Sequence, residues 1–365
     1  MNLALAIHPV PDYNTTLLAR QPGKVGLRRE VACLKRAMAL SIPATRAGDG
    51  LRPVNMAHDL PQIVELLRLV FGEALEADGH NMLGEGVPGP VNELYYRFYP
   101  FAQRLSNGFV WQADGRIVAN ATLLTTRAWD RFLVANVAVH PTYRRQGIAR
   151  NLMQAITTSV RQRGGREILL QVVKDNQSAI DLYLALGYTP LGNMTTWYAT
   201  GARVRPIPET ATDETAPAIV QLPERRWREA YELDTAHVHP DLNWPEPLQR
   251  DAYRRSWWQK GLDFMNGRHF EGWSTMDNRD RLTGLVTLSG EWGRSYLLTL
   301  RVHPEWTGAL ERPLLAKALR RLNYVPRRNV RVDHPETDQL TGHLLQEAHF
   351  TSQRTLTHMR LAISR

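Results

Sequence analysis

The stretch Val137-Ala-Val-His-Pro-Thr-Tyr-Arg-Arg-Gln-Gly-Ile-Ala-Arg-Asn-Leu152 decides how the first half of this chain folds. Its first three residues, together with the apolar residues 132–134, predict a mostly buried strand. Apolar residues then recur every four positions from Ile148 to Val160, which predicts an amphipathic helix that ends at Gly164-Gly165. The stretch is therefore a strand, a basic loop and the N-terminus of a helix.

The loop between the predicted strand and helix is suited to a diphosphate. Gly147 has no Cβ, so a phosphate can approach the backbone closely, and Ala149 lets the first helical turn pack tightly. The amides of a helix N-terminus point at a bound anion, and the helix dipole adds favourable potential. Arg144, Arg145 and Arg150 supply positive charge. The alternative is a basic turn that holds no ligand.

Two common phosphate motifs are excluded, because no Gly-Lys-Ser/Thr follows and only one glycine of the dinucleotide fingerprint is present. The pattern Arg144-x-x-Gly147-x-Ala149 instead resembles the acyl-CoA loop of the GCN5-related N-acetyltransferases (GNAT). Downstream, a predicted strand at residues 167–173 precedes Asn176 to Tyr188, which resembles that family's Asn-x-x-Ala-x-x-x-Tyr-x-x-x-Gly-Phe helix. The resemblance covers roughly residues 51–200. It implies an α/β (α+β) fold, with a mixed, mostly antiparallel sheet flanked by helices.

The resemblance also implies acetyl-CoA as co-substrate and a role for each matching residue. Asn176 would hydrogen-bond the pantetheine arm, and the strand amides near Val137 and Val139 would polarise the acetyl carbonyl. Tyr183 would protonate the leaving thiolate as the catalytic acid; the alternative is an ordinary aromatic residue packed on the sheet. The residues predicted to bind the cofactor are Val137, Ala138, Val139, Arg144, Arg145, Gln146, Gly147, Ile148, Ala149, Arg150 and Asn176.

The general base has no candidate carboxylate. In the subfamily that acetylates protein N-termini, a glutamate stands where this chain has Gln171. The strand before the basic loop offers Asn136 and Ala138, neither of which is a carboxylate. His140 precedes Pro141 in a turn and is either a structural residue or a base. Water could relay the proton, the acceptor could need little help, or the domain could bind acetyl-CoA without turning it over.

The acceptor is predicted to be a primary amine. The missing glutamate favours a small amine or an amino-sugar over a protein N-terminus or a lysine. A non-catalytic acyl-CoA-binding or sensing protein is the alternative from another class. The acceptor side is expected to come from the predicted strand and helix of residues 51–71 and from the aromatic and acidic segment 72–106.

The second half of the chain repeats the pattern of the first. Arg116–Leu123 is echoed by Arg281–Leu288, and Val139-His-Pro141 is echoed by Val302-His-Pro304. The closing residues 348–361 resemble the family's Gly-Phe turn and last strand. These echoes predict two tandem GNAT-like domains, at residues 51–203 and 204–365, after a basic extension at residues 1–50. That extension is expected to be mobile or an upstream addition.

The second copy has lost the residues that would hold a diphosphate. Leu310 stands where the first copy has Gly147, Glu311 brings an anion towards the site, and Pro313 removes a backbone donor. No asparagine and tyrosine pair follows at the matching spacing. We therefore interpret this half as a degenerate copy that shapes the acceptor site or an oligomer interface, such as a homodimer, with residues 244–273 as the contact surface.

Composition narrows the remaining classes. The single cysteine, Cys33, excludes an internal disulfide framework, and no apolar run or signal pattern predicts a membrane span or export, so a cytoplasmic location is expected. A net charge of +9 is typical of proteins that bind nucleic acid. The phosphates of CoA account for a local basic patch, however, and the other arginines are scattered, which disfavours nucleic acid. The twelve histidines show no ligand spacing, so no metal is predicted.

Overall fold

A computed structural model describes residues 49–77, 107–208, 218–244, 247–256, 261, 263, 265, 267–291 and 295–364. The predicted basic extension lies outside these residues apart from its last two positions. Most of the aromatic and acidic segment 72–106 and part of the tryptophan-rich segment 244–273 lie outside them too. The chain forms two compact units, the first of Met1–Gln171, Gln177–Thr189 and Met359–Arg365, and the second of Val172–Asn176 and Pro190–His358.

The first unit is a mixed sheet with helices. Its strands are β1 (Gly50–Pro53), β2 (Asn107–Ala113), β3 (Arg116–Thr125), β4 (Arg131–Val139) and most of β5 (Glu167–Val173). Strands β1 to β4 pair antiparallel with their neighbours, and β4 pairs in parallel with β5. The helices are α1 (Met56–Ala77), α2 (Ile148–Gln162) and α3 (Gln177–Ala185). The predicted fold class is confirmed.

Helix α2 follows the sequence prediction. It ends at Gln162, and Gly164 beyond it adopts a φ of +78°, a conformation that glycine adopts at little cost. The apolar stripe faces the protein interior and covers the sheet, as a spacing of four residues requires. The buried residues of the helix are Ile148, Leu152, Met153, Ile156 and Val160.

The remaining strands are β6 (Thr189–Ala199), β7 (Val220–Gln221), β8 (Arg268–Met276), β9 (Leu282–Glu291), β10 (Tyr296–Val302), β11 (Val330–Pro335) and β12 (Thr351–Ala362). The second unit contains them apart from Thr189 and the end of β12 beyond His358. Their spatial order is β12-β6-β11-β10-β9-β8-β7, and β10 pairs in parallel with β11, as β4 does with β5 in the first unit. The helices are α4 (Trp227–His237), α5 (Glu311–Arg321) and α6 (Gln339–Glu347).

The repeat predicted from the sequence keeps one register through most of the fold. A short 3-10 helix begins at Pro141 in the first copy and at Pro304 in the second, in each case after a His-Pro step. The helix that follows begins at Ile148 and at Glu311, so the spacing between the copies is unchanged.

The two compact units do not coincide with the two sequence copies. Strand β6 ends the first copy, but its residues Met194–Ala199 pair antiparallel with β11, so it belongs to the second unit. In the first unit the chain's last residues take a place beside β5, where the amide of Ile363 donates to the carbonyl of Arg166 at 2.7 Å. The last strands of the copies are thus exchanged between the compact units, and the domain bounds 51–203 and 204–365 stay a prediction.

Acid should destabilise the second unit through His358, which is buried on β12 against Trp244. Burial lowers the pKa of this imidazole to about 4, against the opposing effects of Asp241 and Asp333. An unfolded histidine titrates at about pH 6.5. Between this pH and about 4 the unfolded chain therefore binds more protons than the folded chain, so the stability falls as the pH drops. We expect a loss of up to about 3 kcal/mol between pH ~6.5 and pH ~4.

Urea unfolding of the wild type, a His358→Gln variant and the surface control His343→Gln over this pH range measures that loss. The His358→Gln variant should lose part of the pH dependence, whereas the control should keep it. An unchanged slope in His358→Gln would show that other groups cause the acid sensitivity.

Among the helices of the described residues, none combines the length and the apolar character needed to cross a membrane.

Candidate functional site

The loop from β4 to α2 has the backbone geometry of an anion site. Arg145 and Gly147 both adopt left-handed conformations, with φ of +64° and +76°. Such a φ is uncommon for a residue with a side chain, and strained residues of this kind cluster at functional sites. Gly147 lies directly before the helix and is exposed. A Cβ built on it would meet nothing within 4 Å, so the space above the loop is open.

The amides of residues 145–150 have no acceptor among the described residues. At the start of a helix these donors cannot bond within the helix, and here no side chain caps them. The side chains of Arg144, Arg145 and Arg150 are exposed beside them. An anion at this place would meet both unpaired N–H groups and positive charge.

Strands β4 and β5 separate halfway along their length. They pair only from Arg131 to Val134 on β4, which face Glu167 to Leu170 on β5. The next residues of β4 contain a bulge against β3, and Asn136 adopts a φ of +53° at this point. The bulge turns β4 away from its neighbour, so residues 135–139 no longer pair with β5.

The amides of Val137 and Val139 point into this split. On the other side of β4 the amide of His140 donates to the carbonyl of Val118 on β3 at 2.8 Å. Successive amides alternate in direction along a strand, so those one and three residues earlier point away from β3. The guanidinium of Arg144 lies at the same side, because its Nε donates to the carbonyl of Val139 at 3.2 Å. The split therefore offers both donors and a cation.

Asn120, a residue that the sequence analysis did not select, holds the bulge. It is buried on β3, and its Nδ2 donates to the carbonyl of Asn136 at 2.9 Å and to the Oγ1 of Thr122 at 3.2 Å. An asparagine inside an apolar strand is the signal that could have revealed it, since a buried amide needs partners. This side chain therefore ties the bulge of β4 to β3 at the point where β4 leaves β5.

An Asn120→Ala variant should be less stable by about 1–3 kcal/mol, because the carbonyl of Asn136 is left without its donor. Urea unfolding measures this loss. The bulge should also relax, and the affinity for acetyl-CoA measured by calorimetry should fall. A Gln112→Ala variant, in which this β2 residue no longer accepts a hydrogen bond from Arg52 of β1, is the matched control for stability alone. Unchanged stability and binding in Asn120→Ala would contradict the role given to this residue.

His140 is a structural residue of the turn. Its Nδ1 accepts the amide of Thr142 at 3.3 Å and caps the short 3-10 helix. The equivalent His303 of the second copy accepts the amide of Glu305 at the same distance. A role shared by both copies explains the His-Pro motif without catalysis.

Tyr183 is the only titratable side chain of α3 that is buried, with 5% of its surface exposed. Burial raises its pKa to about 12, so the phenol keeps its proton at neutral pH. Its ring packs at 5.7 Å from the ring of Tyr188, and the hydroxyl has no hydrogen-bond partner among the described residues. A neutral phenol with its proton available can act as an acid.

The other predicted residues are more dispersed. Val137 to Val139, the loop residues 144–150 and Tyr183 all lie in the first unit, whereas the exposed Asn176 ends the short segment Val172–Asn176 of the second unit. Gln171 is half-buried on β5. The role given to each of these residues stays a prediction.

The second copy shows how the same loop is closed to an anion. Gly308, with φ of +91°, matches Arg145, but Leu310 has an ordinary φ of −109° and packs in the core. The carboxylate of Glu311 accepts the amide of Gly308 at 2.8 Å. Burial raises the pKa of Glu311, while nearby backbone amides act in the opposite direction. A side chain therefore fills the place where the first copy leaves amides open.

The sequence of this chain is similar to those of known acetyltransferases. Residues 79–188 match the model of the Acetyltransferase (GNAT) family. Over 87 residues the chain is 32% identical to the ribosomal protein bS18 alanine N-acetyltransferase of Escherichia coli K12, with 24% of this chain and 57% of that protein covered. It is 35% identical over 71 residues to N-alpha-acetyltransferase 30 of Schizosaccharomyces pombe, with 20% of this chain and 47% of that protein covered. The chain thus spans about half the length of these curated relatives.

A solved structure extends the likeness of fold to both halves. A GCN5-related N-acetyltransferase from Sphaerobacter thermophilus superposes with a TM-score of 0.52 at 18% identity. The alignment covers 86% of this chain and 96% of that chain. At this identity the likeness concerns the fold. Together with the motifs and the family match, it shows that this chain carries a domain of the GNAT acetyltransferase family, at residues 79–188.

Proposed function

We propose that the first unit binds acetyl-CoA and transfers the acetyl group to a primary amine by direct attack on the thioester. The observation that carries the proposal is the split between β4 and β5, which opens beside a loop of unpaired amides at a helix N-terminus. Such a loop suits the diphosphate of CoA, and the split gives the acyl arm a place to run between two strands. The open amides and the three arginines fit a ligand of this charge.

The residues of the split would stabilise the charge that develops during transfer. When the amine nitrogen bonds to the thioester carbon, negative charge gathers on the carbonyl oxygen, and the amides of Val137 and Val139 can donate to it. The carbon–sulfur bond then breaks, and the phenol of Tyr183 would give its proton to the leaving thiolate. The amine loses its own proton to a base.

That base is not among the residues of the split. Gln171 has no acidic side chain, and His140 uses its Nδ1 as a turn cap. Of the three alternatives that the sequence left open, we propose that water carries the proton away from the site. The rate should then rise with pH as the acceptor amine becomes neutral.

Two acceptor classes follow from different observations. Gln171 stands where the N-terminus-acetylating subfamily has glutamate, which favours a small amine or an amino-sugar. The relatives named above act on alanine of a ribosomal protein and on N-alpha positions by their names, which favours a protein N-terminus. We propose a primary amine and treat the two classes as arms of one experiment. The cytoplasm is the expected compartment.

The test is a calorimetric titration of acetyl-CoA, followed by measurement of thiol release with a panel of amines. The panel contains polyamines, amino-sugars and peptides with free alanine or methionine N-termini. We expect one acetyl-CoA site per chain, because Glu311 closes the second loop. Binding without turnover of any amine would support the acyl-CoA-sensing alternative. Two sites would contradict the closed second loop, and no binding would overturn the proposal.

A further inference from the structure

The second unit holds a group of metal-ligating side chains that the sequence spacing does not show. His237 is the last residue of α4, His334 lies on β11, and Asp338 precedes α6. Their ligand atoms all lie within 4.8 Å of one another. The sequence shows no ligand spacing among the histidines, and these three residues come together only in the folded chain. From this group we infer a binding site for one divalent transition-metal ion, with Zn²⁺ as the best match.

The spacing of the two imidazoles suits a shared ion. Their ring centroids are 5.5 Å apart. Two imidazoles bound at about 2.0–2.1 Å to one tetrahedral ion have ring centroids about 5 Å apart. The third ligand is close as well, because His334 Nε2 and Asp338 Oδ2 are 2.7 Å apart. A small outward shift of the carboxylate would admit the ion between them.

The ring of His237 is oriented by the protein, as metal-binding histidines are. The Nδ1 of His237 hydrogen-bonds with the backbone of Val302 at 2.9 Å, which leaves Nε2 as the nitrogen available to a ligand. His334 is 1% exposed, and its Nδ1 is buried without a hydrogen-bond partner among the described residues. No described residue therefore makes a hydrogen bond to this nitrogen of His334, whereas its Nε2 contacts Asp338.

Asp338 is held in place by the helix that follows it. Its Oδ1 accepts the amide of Thr341 at 3.0 Å, and its Oδ2 accepts the hydroxyl of the same residue at 2.7 Å. The nearby positive charge of Arg301 is compensated, because its Nε contacts Asp234 Oδ1 at 2.5 Å. The ligand set of two imidazoles and one carboxylate suits Zn²⁺.

An ion at this place would tie three elements together. Each element supplies one ligand, and helix α4 is far in the sequence from the other two ligands, which lie four residues apart on β11 and before α6. His237 and Asp338 are only half-buried, so water can reach the site and occupy a fourth position. The site is independent of the proposed acetyl transfer, and its test requires no turnover.

The experiment uses the full chain, stripped with a chelator and then titrated with Zn²⁺ by calorimetry. Thermal unfolding and the visible spectrum of the Co²⁺-loaded protein provide two further readouts. We expect one ion per chain, a rise in Tm with Zn²⁺, and a tetrahedral Co²⁺ spectrum. In the variants Asp338→Asn and His237→Asn the affinity should fall more than about 100-fold, since even an outer partner of a ligand contributes 10–100-fold.

Asp338→Asn is the sharpest variant, because asparagine is also a good N-cap and the helix should still form. His343→Asn, on the exposed face of α6, is the control that should bind Zn²⁺ like the wild type. Absence of Zn²⁺ binding by the folded wild type would overturn the proposal. So would binding that both ligand variants retain in full.

Discussion

Acetyl transfer should fall by about 10²–10⁴-fold when Tyr183 is replaced by phenylalanine, the usual range for loss of an acid or base. The change removes one oxygen from a side chain that is buried on α3. Burial raises the pKa of the phenol to about 12, so it carries a proton at neutral and mildly alkaline pH. Without it the thiolate must leave unprotonated, and the loss should appear in kcat.

Binding and stability should change little in the same variant. No described residue hydrogen-bonds to the Tyr183 hydroxyl, so its removal leaves no buried group unpaired. Calorimetry should therefore give a wild-type affinity for acetyl-CoA, and Tm should stay close to that of the wild type. A loss confined to KM would instead indicate a role in binding.

Tyr188→Phe is the matched control. This neighbour is equally buried, and its hydroxyl also lacks a partner among the described residues. Burial raises its pKa as well, with a smaller effect from Tyr183. Its removal should leave turnover unchanged and stability equal or slightly higher. If both variants were equally active, Tyr183 would be an ordinary packing residue.

Acetyl-CoA binding should be lost when Gly147 is replaced by glutamate, with an affinity at least about 100-fold weaker, because like charges brought together cost several kcal/mol. The carboxylate would lie at the helix N-terminus, among the unpaired amides that are proposed to bind the diphosphate. The second copy provides the precedent, because Glu311 there accepts a backbone amide of the equivalent loop. Calorimetry measures the loss directly.

Two further variants separate charge from backbone strain. Gly115→Glu makes the same substitution in the β2–β3 turn, at another glycine with a φ of +73° and open space around it. The Gly115→Glu variant should lose about as much stability as Gly147→Glu but should bind acetyl-CoA like the wild type. Gly147→Asn keeps a residue that tolerates the left-handed conformation and adds no charge, so its binding should be intermediate. Normal binding by Gly147→Glu would exclude this loop as the diphosphate site.

The two variants test different parts of the proposal. Loss of binding in Gly147→Glu together with normal binding but slow turnover in Tyr183→Phe would separate the anion loop from the acid. Loss of neither would favour the view that the first unit binds another ligand. A Tyr183→Phe variant that binds, while the wild type turns over no amine, would favour the sensing alternative.

The sequence by itself determined the local elements of the loop region and the repeat. A spacing of four residues from Ile148 to Val160 indicates which face of a helix is buried, and Gly147 indicates a backbone that a ligand can approach closely. The echo of His140-Pro141 at His303-Pro304 placed the two copies in register. The spacing and the glycine are local signals, and the repeat is a likeness between two stretches of sequence, so each can be read without knowledge of the fold.

Only the tertiary structure decided which distant residues meet. A hydrogen bond from Asn120 of another strand holds the carbonyl of Asn136 in the bulge of β4, and the grouping of His237 with His334 depends on the packing of α4 against β9 and β10. The exchange of the last strands depends on the pairing of β6 with β11. Periodicity tells which face of an element is buried, but it carries no information on the partner that covers that face. Strand pairing and buried hydrogen bonds are therefore decided only when the whole chain packs.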